Sequence, residues 1–230
     1  MEPISPDPAT FALPKGTVAF FRSLAANNNR AWFDEHRDDY RAQVVAPAMA
    51  LTTLLGEAFE NRVEKLRYEP RVDGSIFRLN RDVRFSKEKS PYKTNLGVFV
   101  WCGAGKKMDS AGLYFHLSPD EIFVGSGIYR VPPEKLDRFR RFVDAKGKLL
   151  ADAVETAERQ KFALEGETTV RVPKGFPADH PHARFLRHKG FYLSKSLPVS
   201  AATKKGFGAK LIRELEPTVP FLNLLAKGLG

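Results

Sequence analysis

What most limits the fold of this chain is a change of period near Leu66. Before it, apolar residues recur at helical spacing. Val18, Phe21, Leu24 and Ala25 follow an N-cap candidate at Thr17, and Phe33, Tyr40, Val44 and Ala48 follow a second at Asn29, with Pro47 expected to kink or divide that helix. After it, alternation predicts four strands, over residues 75–85, 96–102, 112–118 and 121–129. Their joins are too short for crossover helices, so the strands are expected as antiparallel neighbours, with "SPDE" as a turn. Helical spacing then returns. "VPPEKLDRFRRFV" opens a helix on Pro132 and Pro133, and a second helix is expected over 147–160. An extended piece over 168–172, a helix over 180–188, a strand over 191–197 and helices over 200–215 and 220–227 complete the reading. Helices, a strand meander and helices again describe an α+β fold: an antiparallel sheet of about four to six strands packed with helices from the N- and C-terminal parts. Residues 15–230 are expected as one domain behind a flexible lead-in over 1–14.

With 43% hydrophobic residues, 230 residues can bury one substantial core. The single Cys102 excludes an intramolecular disulfide and gives no thiol spacing for a metal cluster, which suits a reducing compartment. "MEPISPDPATFALP" reads as neither a signal peptide nor an anchor, and no run of about 18 consecutive apolar residues occurs, so a cytoplasmic protein without a membrane partner is expected. The formal charge of +10 favours anionic partners, either small molecules or nucleic acid.

That charge is densest in "IFRLNRDVRFSKEKSPYKTNLGVFV". On a continuous strand, Phe77, Leu79, Val83 and Phe85 share one face and Arg78, Asn80, Asp82 and Arg84 the other. Arg81 then falls on the apolar face, either as a paired structural arginine or re-aimed toward a ligand by a bulge at Asn80. Arg78 and Arg84 offer planar forks for phosphate or carboxylate, with Asp82 placed to neutralise or orient one of them. The following loop adds Lys87, Lys89, Ser90, Tyr92 and Lys93, with Pro91 stiffening it. The candidate anion site is therefore Arg78, Asn80, Arg81, Asp82, Arg84, Lys89, Ser90, Tyr92 and Lys93. The competing reading is a solvated hairpin tip whose lysines protect an edge.

"FRLNRDVRFSKEKSPYKTNLG", with "FFRSLAANNNRAWFDEHRDDYR" before it and "VPKGFPADHPHARFLRHKGFYLSKSL" after it, resembles the bacterial family catalogued as domain of unknown function 2461. The resemblance runs from about residue 20 to residue 225. It is carried by Trp32, Phe33, Asn80, Arg81, Asp82, Arg84, Phe85, Lys89 to Lys93, His180 and Pro181. It implies no established activity, cofactor or catalytic residue. The loop "WCGAGKKMDSAG" is longer and more basic than the resemblance leads one to expect.

Residues 171–213 hold ten Lys or Arg against the single acid Asp179, interleaved with Phe176, Phe185, Phe191, Tyr192 and Phe207. These could track a nucleic-acid backbone, or form a buried aromatic stripe under a solvated face. His180, His182 and His188 have spacings that suit a helix buttress better than a metal site. His116 shares a strand face with Tyr114 and is either a general base beside Asp82 or a histidine hydrogen-bonded in place. The glycines of "GSG" at 125–127 mark a bulge or a close backbone approach. No nucleophile elbow, P-loop or paired-cysteine motif names a reaction or a cofactor. Three functions compete: a pocket for a phosphorylated or carboxylated small ligand, a nucleic-acid module, and a scaffold with structural arginines.

Overall fold

The computed structural model describes residues 6–82, 84 and 87–229. Helix α1 (Lys15–Ala26) starts two residues before the expected cap, and Thr17 instead donates its hydroxyl to the Gln43 carbonyl at 2.6 Å. Asn29 does cap α2 (Arg30–Glu35), accepting from the Trp32 N–H at 3.0 Å. The next helical run passes from α3 (Arg37–Tyr40) through a π turn at Arg41–Val45 into α4 (Ala46–Phe59). Pro47 lacks an N–H and crowds the preceding turn, so the helix widens where a break was expected. By length and composition the run Arg37–Phe59 could cross a membrane. Here Leu51, Leu54, Leu55 and Phe59 fill the core, the usual reason for such an apolar helix.

The sheet has six strands, all antiparallel, in the order β1 (Leu66–Arg67), β2 (Leu96–Cys102), β3 (Gly112–Leu117), β4 (Ile122–Ile128), β6 (Phe191–Leu197), β5 (Ala163–Glu165). Among the described residues of 75–85 the expected continuous strand is not formed. Phe77 N–H donates to Gly97 and Phe99 N–H to Ser75, so the segment first runs along β2; beyond Leu79 its partners become Pro91 and Lys93. Two isolated bridges, Ile76 to Val98 and Asn80 to Tyr92, mark the two halves. Ile76 and Leu79 are buried in the core, Phe77 is half-buried against Gly97 on the other face of the sheet, and Arg78 and Asn80 are exposed, so Phe77 and Leu79 do not share the face that alternation gave them. Val83, Phe85 and Ser86 lie outside the described residues.

Helix α5 (Pro133–Arg159) joins the two expected helices across a kink at Lys146, whose φ of −130° is non-helical. The expected helix over 180–188 shrinks to α6 (Ala183–Leu186), and of the piece over 168–172 only Thr168 bridges, to His188. Gly206, at φ +80°, separates a short 3-10 turn from α7 (Phe207–Leu215), and α8 (Val219–Leu229) follows. Part of the expected lead-in is fastened rather than loose: Leu13 is buried with its N–H on Ala202, and Pro8 and Phe11 accept from Ala209 and Gly208 of α7.

The helices cover one face of the sheet. Phe115 meets Phe207 of α7, while Phe191 meets Phe139 of α5 and Phe221 of α8. Val98, Val100, Leu113, Val124 and Leu193 share this face and are buried. Because side chains alternate, every second residue of the same strands faces the other way.

Candidate functional site

That other face is hollow. Lys93, Asn95 and Phe99 lead into and along β2, Gly112, Tyr114 and His116 lie on β3, Phe123, Gly125 and Gly127 on β4, and Tyr192 on β6; together they line a cavity of about 450 Å³. Two glycines make the room. A Cβ on Gly97 would sit 2.9 Å from the Tyr114 hydroxyl and 3.0 Å from the Phe77 ring, so both aromatics pack onto bare backbone there. A Cβ on Gly125 would lie 3.3 Å from the Leu193 carbonyl oxygen and 3.9 Å from the Tyr114 Cβ, so the lining there is bare backbone.

One wall is cationic. Lys107 places its ammonium 4.4 Å from the centroid of Phe77 and donates to the Gly74 carbonyl, and the Lys93 ammonium lies 5.7 Å from the same ring. Among the described residues neither ammonium has a carboxylate oxygen within 4.0 Å. Burial lowers the pKa of both. At Lys93 the positive charges of Arg78 and Arg81 push further down and Asp73 pushes back, while at Lys107 Asp73 and Glu69 are the main opposing charges.

The end of the hollow near the β3–β4 turn is neutral and polar. His116 stacks on Phe123 with centroids 4.8 Å apart, and its Nδ1 lies 3.4 Å from both the Tyr114 hydroxyl and the Asn95 amide nitrogen. Its Nε2 is 3.8 Å from Glu121. Burial lowers the imidazole pKa against the pull of Glu121, and raises the Tyr114 phenol to about 12. Around neutral pH His116 is therefore an uncharged acceptor and Tyr114 a protonated donor. The wall across the sheet is aromatic. Tyr129 and Tyr192 lie 5.9 Å apart at 30°, and Glu165 behind them accepts from Ser194 at 2.8 Å. Burial and the Glu165 carboxylate raise the Tyr192 pKa.

Of the nine residues expected to form an anion site, Lys93 alone lines this hollow. Arg78 and Arg81 are exposed, near enough for their charges to act on Lys93. Arg81 is thus neither buried nor on an apolar face, because the chain leaves β2 before reaching it. Arg84 grips Asp82 in a fork, Nε to Oδ1 at 3.0 Å and Nη2 to Oδ2 at 2.7 Å, which lowers the Asp82 pKa. Asp82 neutralises Arg84 there and stands apart from His116, whose neighbours are Asn95, Tyr114 and Glu121. Ser90 donates to Glu88 at 2.6 Å, and Lys89 and Asn80 are exposed. Tyr92 is a core anchor, stacked on Phe33 at 4.4 Å, with its backbone N–H and carbonyl both held by the Asn28 side chain.

Sequence reasoning missed Asn95, Phe99, Lys107 and Tyr129 as site residues, and named Tyr192 only among the aromatics of the later basic zone. The signal was the second half of the alternation it used to find the core: Lys93, Asn95, Gly97 and Phe99, then Tyr114 and His116, then Phe123, Gly125 and Gly127. The later histidines have another task. His180 Nε2 meets Asp144 at 2.9 Å and its Nδ1 accepts from the His182 N–H, while the His182 ring fills the space above Gly147 of α5. Of the aromatics interleaved with the basic zone, Phe185, Phe191 and Phe207 are buried. Several of its charges pair with acids from outside it, Arg184 with Glu158, Lys189 with Glu167 and Lys195 with Glu214.

Comparison with curated proteins finds no match. The family model described as "Conserved hypothetical protein (DUF2461)" matches residues 16–223, a span that contains every residue of the hollow. The chain belongs to that family.

Proposed function

We propose that the hollow on the uncovered sheet face binds a small organic anion, phosphorylated or carboxylated, through Lys93 and Lys107, and that the protein does so in the cytoplasm. The observation that carries this reading is the pair of half-buried ammonium groups facing an aromatic cavity with, among the described residues, no carboxylate oxygen within 4.0 Å, Asp73 and Glu69 acting on them only from farther off. A half-buried cation without a counter-ion is costly, and an anion that enters the hollow supplies one. Arg78 and Arg81 at the rim add attraction over the distance at which a ligand approaches. Phe77, Phe99 and Phe123 favour a ligand with an apolar body over inorganic phosphate. The neutral imidazole of His116 gives a bound ligand a proton acceptor suited to hydrolytic or transfer chemistry.

Titration calorimetry with phenyl phosphate, benzoate and inorganic phosphate tests this. Saturable one-to-one binding of either aromatic anion, tighter than inorganic phosphate and abolished in a Lys93→Met, Lys107→Met double variant, is the expected result. Equal binding by the double variant would place the anion elsewhere and end this reading.

A further inference from the structure

The two walls of the hollow differ in chemistry and stand far apart. We infer that its ligand is a nucleoside monophosphate, with the phosphate at Lys93 and Lys107 and the base stacked on Tyr129 and Tyr192; this rests on the anion-binding reading above.

The span carries the argument. From β2, beside the lysines, to β6, which bears Tyr192, the sheet advances three strand spacings, roughly 14 Å at about 4.8 Å each. An acid group joined directly to one ring cannot reach both walls. A ring and a phosphate separated by a sugar can. Between the walls the lining includes Gly125 and Gly127, which put no side chain of their own into the path of a spacer.

Charge fixes the direction. Glu165 lies behind the tyrosines, hydrogen-bonded to Ser194 and acting on Tyr192, so an anion is repelled from that wall and drawn to the ammonium groups opposite. A heteroaromatic base, carrying N–H donors and no charge, suits the wall that holds the carboxylate. Tyr129 is also 74% exposed, unusual for a large ring at a cavity wall, and its neighbour Tyr192 is half-buried beside it. A stacked base would cover the first and extend the surface of the second.

Calorimetry on the full chain with adenosine 5′-monophosphate, ribose 5-phosphate, adenosine and phenyl phosphate separates the parts. Adenosine 5′-monophosphate should bind roughly tenfold to a hundredfold more tightly than ribose 5-phosphate, the range that base–aromatic stacking supplies. Tyr129→Ala, an exposed substitution compatible with folding, should erase most of that preference and leave ribose 5-phosphate unchanged. Tyr192→Phe keeps the ring and should keep the preference. A nucleotide no tighter than the sugar phosphate, or a Tyr129→Ala variant that weakens both equally, overturns the inference. If phenyl phosphate binds and the nucleotide does not, the inference fails and the anion pocket stands; if no anion binds, both fail.

Discussion

Replacing Lys93 by methionine separates a ligand-binding lysine from a structural one. Its ammonium is half-buried, with no carboxylate oxygen within 4.0 Å among the described residues, and its pKa is lowered first by burial and then by Arg78 and Arg81. In the empty protein that charge is a liability, and methionine keeps the apolar stem against Phe77 while removing it. Lys93→Met should therefore cost no more than the roughly 0.5 kcal/mol of an ordinary surface change, and a gain is consistent with the argument. Lys107 differs because it donates to the Gly74 carbonyl. Lys107→Met loses that bond, worth about 0.5–1.5 kcal/mol, which at this chain length lowers Tm by roughly 1–6 °C. The linkage has a definite sign. With the Lys93 pKa lowered on folding, the unfolded chain binds more protons between that lowered value and about 10.5, so this group's contribution to stability rises with pH across the window. The Met variant should lack that rise. Binding should move the opposite way, since a charge-assisted hydrogen bond of about 1.5–3 kcal/mol corresponds to a loss of roughly tenfold to 150-fold in anion affinity. Thermal melts from pH 7 to 10 and phenyl phosphate titrations read both quantities. A Lys93→Met protein that melts many degrees lower, or binds phenyl phosphate as tightly as the parent, refutes this reasoning.

Arg81 is exposed, so Arg81→Ala should lower Tm no more than Lys87→Ala, each costing less than about 0.5 kcal/mol of stability; a large drop for Arg81 alone in a thermal melt would restore the structural role its place in the sequence suggests. Gly127 has φ +137°, and a Cβ there would lie 2.4 Å from the Phe191 carbonyl oxygen, so Gly127→Ala should cost about 1–3 kcal/mol or more by urea titration. Gly103→Ala, at φ +83° with nothing within 4 Å, should cost only about 1–2 kcal/mol. The pKa values of His116 and His188 are both lowered on folding, chiefly by burial. Their stabilising contribution is complete above the ordinary value of about 6.5 and is lost as pH falls from there through their lowered folded values. His116→Asn should flatten the dependence of Tm on pH between 5 and 7, and an unchanged slope counts against a buried neutral imidazole.

The strands most legible in the sequence were β2, β3, β4 and β6, where six or seven residues alternate cleanly and the joins or the flanking helices fix their neighbours. β1 and β5 have two and three residues, too few to show any period. The segment over 75–85 failed for another reason. Its alternation already fails between Phe77, which lines the hollow, and Leu79, which is in the core, where its hydrogen bonds change partner from β2 to Pro91 and Lys93, a long-range choice that local pattern does not encode. Treating it as one strand put Arg81 on the wrong side. The site was obscured by the same density of charge that drew attention. Arg84 uses its fork on Asp82, and Tyr92 stacks on Phe33, whereas the hollow takes one or a few residues from each of four strands and three connecting segments. Lys93 was within reach because it lies in both patterns, the basic stretch and the uncovered face.

Backbone amide shifts in a ¹⁵N-labelled sample titrated with phenyl phosphate test most directly whether the uncovered sheet face is the binding site. The largest changes are predicted at Lys93, Lys107, Gly125 and Gly127, saturating together, with little at Arg84 or in the basic zone over 171–189. Saturating shifts centred on that zone or on the Asp82–Arg84 fork, with the four hollow amides unmoved, would contradict the account.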